Sequence, residues 1–144
     1  MVNDVTEKNA QFVAADIQAH GGEALAHSAN ASNPSAIRQM FLALSRWGHR
    51  LDILVCNAAI TNAKDIFAIS LREGEAVFRT HVTGPFLCAK HGMRRMRRQK
   101  TGGRIIFIGS GVVHQGALTG YVAYAASRRH SLDDKDTRPY RNSI

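Results

Sequence analysis

Leu51-Asp52-Ile53-Leu54-Val55-Cys56 and Arg104-Ile105-Ile106-Phe107-Ile108 are the two stretches on which the fold turns. Each is an apolar run too short for a helix, without polar alternation and bounded by turn residues, the pattern of a strand covered on both faces. Strands predicted at Asp52–Cys56 and Arg104–Ile108 are separated by long helical patterns. The first, Lys64 to Phe78, and the second, Val82 to Arg98, end at Thr101-Gly102-Gly103. Upstream, Ala10, Val13, Ala14 and Ile17 recur at helical spacing and Gly21-Gly22 stops them. Glu23 to Ala29 is a short strand, and Pro34 opens a helix with inner residues Ile37, Met40, Phe41 and Leu44 that ends near Gly48. Strands alternating with helices imply parallel pairing through crossovers, so the expected class is α/β, a layered parallel sheet with flanking helices.

Composition agrees with an ordinary globular domain: 144 residues, 44% apolar and 21% charged. Two cysteines are too few for a disulfide scaffold, and no apolar run approaches the roughly 20 residues of a membrane span. The start carries no basic region followed by an apolar run, so the expectation is a cytoplasmic protein with reduced thiols, without a membrane partner. Residues 1–90 hold eight Lys/Arg and eight Asp/Glu, so the net +8 lies wholly beyond residue 90. Arg94, Arg95, Arg97, Arg98 and Lys100 end a helical pattern, where cations complement the dipole; a solvated helix end explains them better than a nucleic-acid patch. The seven histidines show no short spacing with acids or cysteines, so no metal site is expected. Cys56 reads as a small core residue and Trp47 as packing.

In open sheets of this class ligands bind beyond the carboxyl ends of the strands. Asn57-Ala58-Ala59 follow the first apolar strand, and Gly109-Ser110-Gly111 follow the second, with Tyr124-Ala125-Ala126-Ser127-Arg128 opening a last helical stretch. In this order the residues resemble the short-chain dehydrogenase/reductase family. The strand ending in Asn57-Ala58-Ala59 resembles the family's Asn-Asn-Ala-Gly, His81-Val82-Thr83-Gly84-Pro85-Phe86 its Asn-Val-x-Gly-x-Phe, and Gly103 to Ser110 the strand that delivers the catalytic serine. Tyr124 and Arg128 stand at its Tyr-x-x-x-Lys. The resemblance runs from about Val2 to Ser131, leaving 132–144 as a polar tail.

The resemblance implies a partial NAD(P)-binding Rossmann-like domain over residues 1–131, an incomplete layered parallel sheet, with NAD or NADP as cofactor and a small alcohol or carbonyl as substrate. It makes Tyr124 the general acid/base, Ser110 the hydrogen-bond donor to the substrate oxygen, and Arg128 and His81 the occupants of the family's lysine and asparagine positions. The lysine's charge would lower a phenol pKa that is ordinarily about 10. Arginine keeps that charge but carries it on a planar fork of different reach. The cofactor side falls to Asp4, Asn30, Asn57, Ala58, Ala59, Tyr124 and Arg128. Asp4 matches the acid that accepts from the adenosine ribose, favouring NAD, and Asn30 stands where an aspartate usually lies beside the adenine edge.

The family's first strand and its glycine-rich turn have no counterpart before Asp4, and the interval from Ser110 to Tyr124 is one residue longer than usual. With strand order 3-2-1-4-5 the absent strand is central, so two inner edges are expected to be unpaired, in a chain truncated at both ends. These departures frame two readings. One is an NAD(P)-dependent hydride-transfer enzyme, weak or inactive alone. The other is a non-catalytic remnant that joins a homologous subunit, as a homo- or hetero-oligomer, through the two long central helices.

Overall fold

A computed structural model describes residues 1–48, 50–111 and 120–128. His49, residues 112–119 with His114, residues 129–131 with His130, and the expected tail 132–144 lie outside the described residues. The chain divides into two compact units, Met1–Arg50 and Leu51–Ile144.

In the first unit β1 (Val2–Asp4) and β2 (Ala26–Ser28) pair in parallel, Val2 opposite Ala26 and Asp4 opposite Ser28, through the crossover helix α1 (Glu7–Ala19). Only Ala10 and Ala14 of α1 are buried, and Phe12, Val13 and Ile17 are exposed. The inward stripe is therefore narrower than the sequence pattern suggests: one alanine per turn meets the strands, and Val13 and Ile17 leave the expected inner face. Helix α2 (Pro34–Trp47) begins as expected, because the Asn33 side chain accepts from the amides of Ser35 and Ala36 and Pro34 follows it without needing a donor. Ile37 and Phe41 form its buried face, while Met40 and Leu44 are half-buried. Trp47 is 43% exposed instead of packed.

In the second unit β3 (Ile53–Cys56) and β4 (Arg104–Phe107) pair in parallel, Ile53 opposite Arg104 and Cys56 opposite Phe107. The first long helix is shorter than its pattern. Asp65 closes a turn, accepting from Phe67 through its side chain and from Ala68 and Ile69 through its carbonyl. Helix α3 (Leu71–Phe78) then starts at a reciprocal cap between Ser70 and Glu73. Lys64 donates to Glu73 at 2.5 Å, and that bond is the chief reason the Glu73 carboxyl is held at about 2. A five-residue π-turn (Arg79–Thr83) joins α3 to α4 (Gly84–Arg98) without a break.

Helix α4 lies on β3 at Gly92, where a Cβ would stand 2.8 Å from Leu54 Cδ2. At its far end Gln99 serves as a surrogate strand neighbour. Its Oε1 accepts from the Leu51 amide at 2.9 Å, and its Nε2 donates to the carbonyls of Leu51 and Gly102 at 2.8 and 2.9 Å. Arg94, Arg97, Arg98 and Lys100 point into solvent, as a solvated helix end requires. Leu51, Cys56, Val77, Cys88 and Met96 form the buried apolar set.

The expectation that both apolar strands are covered on two faces fails: Ile53 and Val55 are 58% and 51% exposed, and Ile106 and Phe107 are also open. The two ladders remain separate two-stranded sheets, β1 with β2 and β3 with β4. This is the pairing left when the central strand of a 3-2-1-4-5 sheet is taken away. Among the described residues no helix is long and apolar enough to cross a membrane.

Candidate active site

Parallel pairing brings the carboxyl ends of β3 and β4 to one edge of the second unit. Asn57, Ala58 and Ala59 leave β3 as an exposed stretch of small side chains, and Ile108, Gly109 and the half-buried Ser110 leave β4. Helix α5 (Val122–Arg128) carries Tyr124 and Arg128.

Arg128 is 4% exposed, and its guanidinium fork spans the edge. Nη1 donates to the Ile108 carbonyl beyond β4, and Nη2 donates to the Ala58 carbonyl beyond β3 at 3.5 Å. The fork thus ties α5 to the ends of both strands, with Cζ 5.7 Å from the centre of the Tyr124 ring. A lysine ammonium, a single point charge, would not span the two carbonyls in this way.

His81 is the other buried member, 3% exposed within the π-turn. Its Nε2 accepts from the Ile60 amide at 3.0 Å, and its Nδ1 lies 2.7 Å from Ser127 Oγ. The Ser127 hydroxyl donates to the Tyr124 carbonyl at 2.8 Å. The His81 ring meets the Tyr124 ring edge-on, centroids 5.2 Å apart at 88°, and Tyr121 meets Tyr124 at 6.4 Å.

The structure therefore brings together His81, Tyr124, Arg128 and Ala58, and adds Ser127 and Ile60, which sequence reasoning missed. The back-bond of Ser127 onto Tyr124 was open to inference, since a helical serine reaches a carbonyl three or four residues back. Its pairing with a histidine 46 residues away was not.

Gly120 sets the approach to α5. Its φ is +96°, and a Cβ would stand 3.1 Å from the Ala63 carbonyl carbon. The backbone angle strains any side chain and the contact is tight, so Gly120→Ala is expected to destabilise by about 1–3 kcal/mol. A urea titration showing less than about 0.5 kcal/mol would mean that this turn relaxes freely.

Asp4 and Asn30 belong to the first unit, at the carboxyl ends of β1 and β2. Asp4 Oδ1 accepts from the Thr6 amide at 2.7 Å and from Asn9 at 3.4 Å, at the start of α1. Asn30 Oδ1 accepts from the amide and hydroxyl of Ser32 at 2.9 and 2.7 Å. Both therefore have local roles within the first unit.

Burial, aided by the nearby Cys88, pushes the Cys56 thiol up to about 12, and burial takes Cys88 to about 11. Neither is a thiolate nucleophile at neutral pH. Among the described residues no group of His, Cys, Asp and Glu is arranged to hold a metal ion.

Comparison with known proteins gives concordant results. A family model described as short chain dehydrogenase matches residues 1–130. A 3-oxoacyl-[acyl-carrier-protein] reductase from Synechocystis sp. is 40% identical over 101 residues, covering 70% of this chain and 40% of that protein. A short-chain dehydrogenase/reductase from Armillaria gallica is 33% identical over 129 residues, 88% of this chain and 49% of its own. A crystal structure of a metagenomic short-chain oxidoreductase in complex with NADP superposes with a TM-score of 0.80 at 25% identity, covering 90% of this chain and 58% of the other. The chain thus spans about half the length of the relatives it matches.

Proposed function

The chain belongs to the short-chain dehydrogenase family, and from that premise we propose that it carries the proton-transfer half of a nicotinamide-dependent site acting on a small carbonyl or alcohol. The observation that carries this reading is Tyr124, held between the His81 ring and the Arg128 guanidinium beside the carboxyl ends of two parallel strands.

In the second unit the residues fit one end of the cofactor. Asn57, Ala58 and Ala59 are small and exposed, so a flat ring can lie close to their backbone. In the first unit, taken by itself, the Asp4 carboxylate at the end of β1 has the chemistry that suits an unphosphorylated ribose, the ground for preferring NAD. No glycine-rich phosphate turn stands at a helix start among the described residues, and Glu7 in the first turn of α1 is unfavourable to a phosphate there. The nicotinamide supplies or accepts the hydride when bound. The Tyr124 hydroxyl gives the proton to the carbonyl oxygen in reduction and takes it back in oxidation. Ser110 donates to the same oxygen and orients it. Arg128 contributes fixed positive charge beside the Tyr124 ring while its fork keeps the two strand ends together.

A thermal melt followed by far-UV circular dichroism, with and without NADH or NADPH, tests the cofactor half. Ligand at 100 times its dissociation constant adds about 2.7 kcal/mol, and NADH is expected to give the larger shift. A cooperative melt that neither nucleotide moves favours the second reading, a non-catalytic subunit. Leu71, Phe78, Phe86 and Met93, exposed on α3 and α4, are the surface that reading would use.

A further inference from the structure

We propose that His81 is a positioning residue: a neutral imidazole with its proton on Nδ1, which fixes Tyr124 by linking the turn after β3 to the first turn of α5. The polarity of the link follows from its one unambiguous end. The Ile60 amide is a donor and nothing else, so the Nε2 that faces it at 3.0 Å presents a lone pair. A neutral ring then carries its proton on Nδ1, 2.7 Å from Ser127 Oγ. The Ser127 proton is directed to the Tyr124 carbonyl at 2.8 Å, leaving the oxygen lone pairs to accept from Nδ1. The chain therefore runs one way, Nδ1–H to Oγ–H to the carbonyl of Tyr124. A doubly protonated ring would set N–H against N–H at Ile60.

Burial strengthens this arrangement. Ser127 is 0% and His81 3% exposed, so water does not compete for the bonds and each polarises the next. A histidine beside a serine hydroxyl is also the signature of an activated nucleophile. Here the hydroxyl is sealed from substrate and donates to a backbone carbonyl, so the pair holds a pose instead of attacking. Tyr124 is gripped twice, its carbonyl through Ser127 and its ring by the imidazole edge at 88°.

The consequence for turnover rests on the hydride-transfer reading, whereas the hydrogen-bond chain does not. Long-range proton–nitrogen NMR on the 15N-histidine-labelled full chain reads the tautomer with no cofactor and no substitution. The expected result is Nδ1–H for His81; an Nε2–H ring overturns the proposal. Two isosteric replacements then separate the two bonds. His81→Asn keeps a donor near the Nδ1 position, and His81→Gln keeps an acceptor near the Nε2 position. The backbone carbonyl signal of 13C′-labelled Tyr124, which reads the bond from Ser127 and not the loss of the imidazole ring common to both His81 variants, is expected to stay near wild type in His81→Asn and to shift in His81→Gln and Ser127→Ala. A Tyr124 signal unmoved in both His81→Gln and Ser127→Ala overturns the proposal. In a nicotinamide-linked assay the same two variants are expected to lose about tenfold in kcat at unchanged KM, and His81→Asn to recover most of it. Absence of turnover in the unsubstituted chain would count against the hydride-transfer reading alone, since the NMR signatures require no reaction.

Discussion

Arg128→Ala is expected to cost the second unit about 2–4 kcal/mol, from lost packing of a buried long side chain and lost hydrogen bonds to a charged group, which are worth about 1.5–3 kcal/mol each. The guanidinium is 4% exposed and donates to the carbonyls of Ile108 and Ala58. Deleting it takes a donor from two carbonyls at the strand ends and removes the packing of a long side chain. The Ala58 bond, at 3.5 Å, is the weaker of the two and sets the lower end of the range. Arg128→Lys retains the charge and most of the volume but reaches one carbonyl at a time, so about 1–2 kcal/mol is expected. Urea unfolding followed by circular dichroism would show a lowered midpoint at constant slope for both variants. If Arg128→Ala unfolds within about 1 kcal/mol of wild type, the fork is not what holds α5 to the strand ends.

The second large effect concerns chemistry. Tyr124→Phe removes one hydroxyl and keeps the ring that His81 and Arg128 touch, so stability is expected to change by less than about 1 kcal/mol. Turnover is expected to fall by about 10²–10⁴-fold, the contribution of a positioned general acid or base. The measurement is kcat/KM for NADH-dependent reduction across a panel of small carbonyl compounds. Tyr121→Phe is the control, because that ring lies 6.4 Å from Tyr124 and its position in the chain lacks a cation four residues on. If Tyr121→Phe loses activity and Tyr124→Phe keeps it, the assignment of the proton donor is reversed.

Much of the fold was legible because its signals are local. Asn33-Pro34 marks a helix start in any context, and two short apolar runs separated by helical patterns leave little besides parallel strands. The family resemblance singled out Tyr124 and Arg128, which no periodicity locates. What escaped depends on neighbours distant in the chain. The pattern from Lys64 suits a helix, yet Asp65 closes a turn there and the Ser70–Glu73 box provides a better start. Ile53 and Val55 read as core residues because apolar strands usually are, whereas here they remain largely exposed. The link from His81 through Ser127 joins residues whose meeting no single stretch of sequence announces.

The π-turn at Arg79–Thr83 acts as a phase shifter. An uninterrupted α-helix advances about 100° per residue, so Val77 and Cys88, eleven positions apart, would face the same way to within roughly 20°. One wide turn absorbs a residue's worth of that rotation and swings the later face by about 100°. A single continuous rod can thus address two clients: α3 packs on α5, and α4 lays Cys88, Gly92 and Met96 toward β3 and β4. Losing one residue from the turn would bring both faces onto one bearing and leave either the Tyr124 helix or the strands without a neighbour.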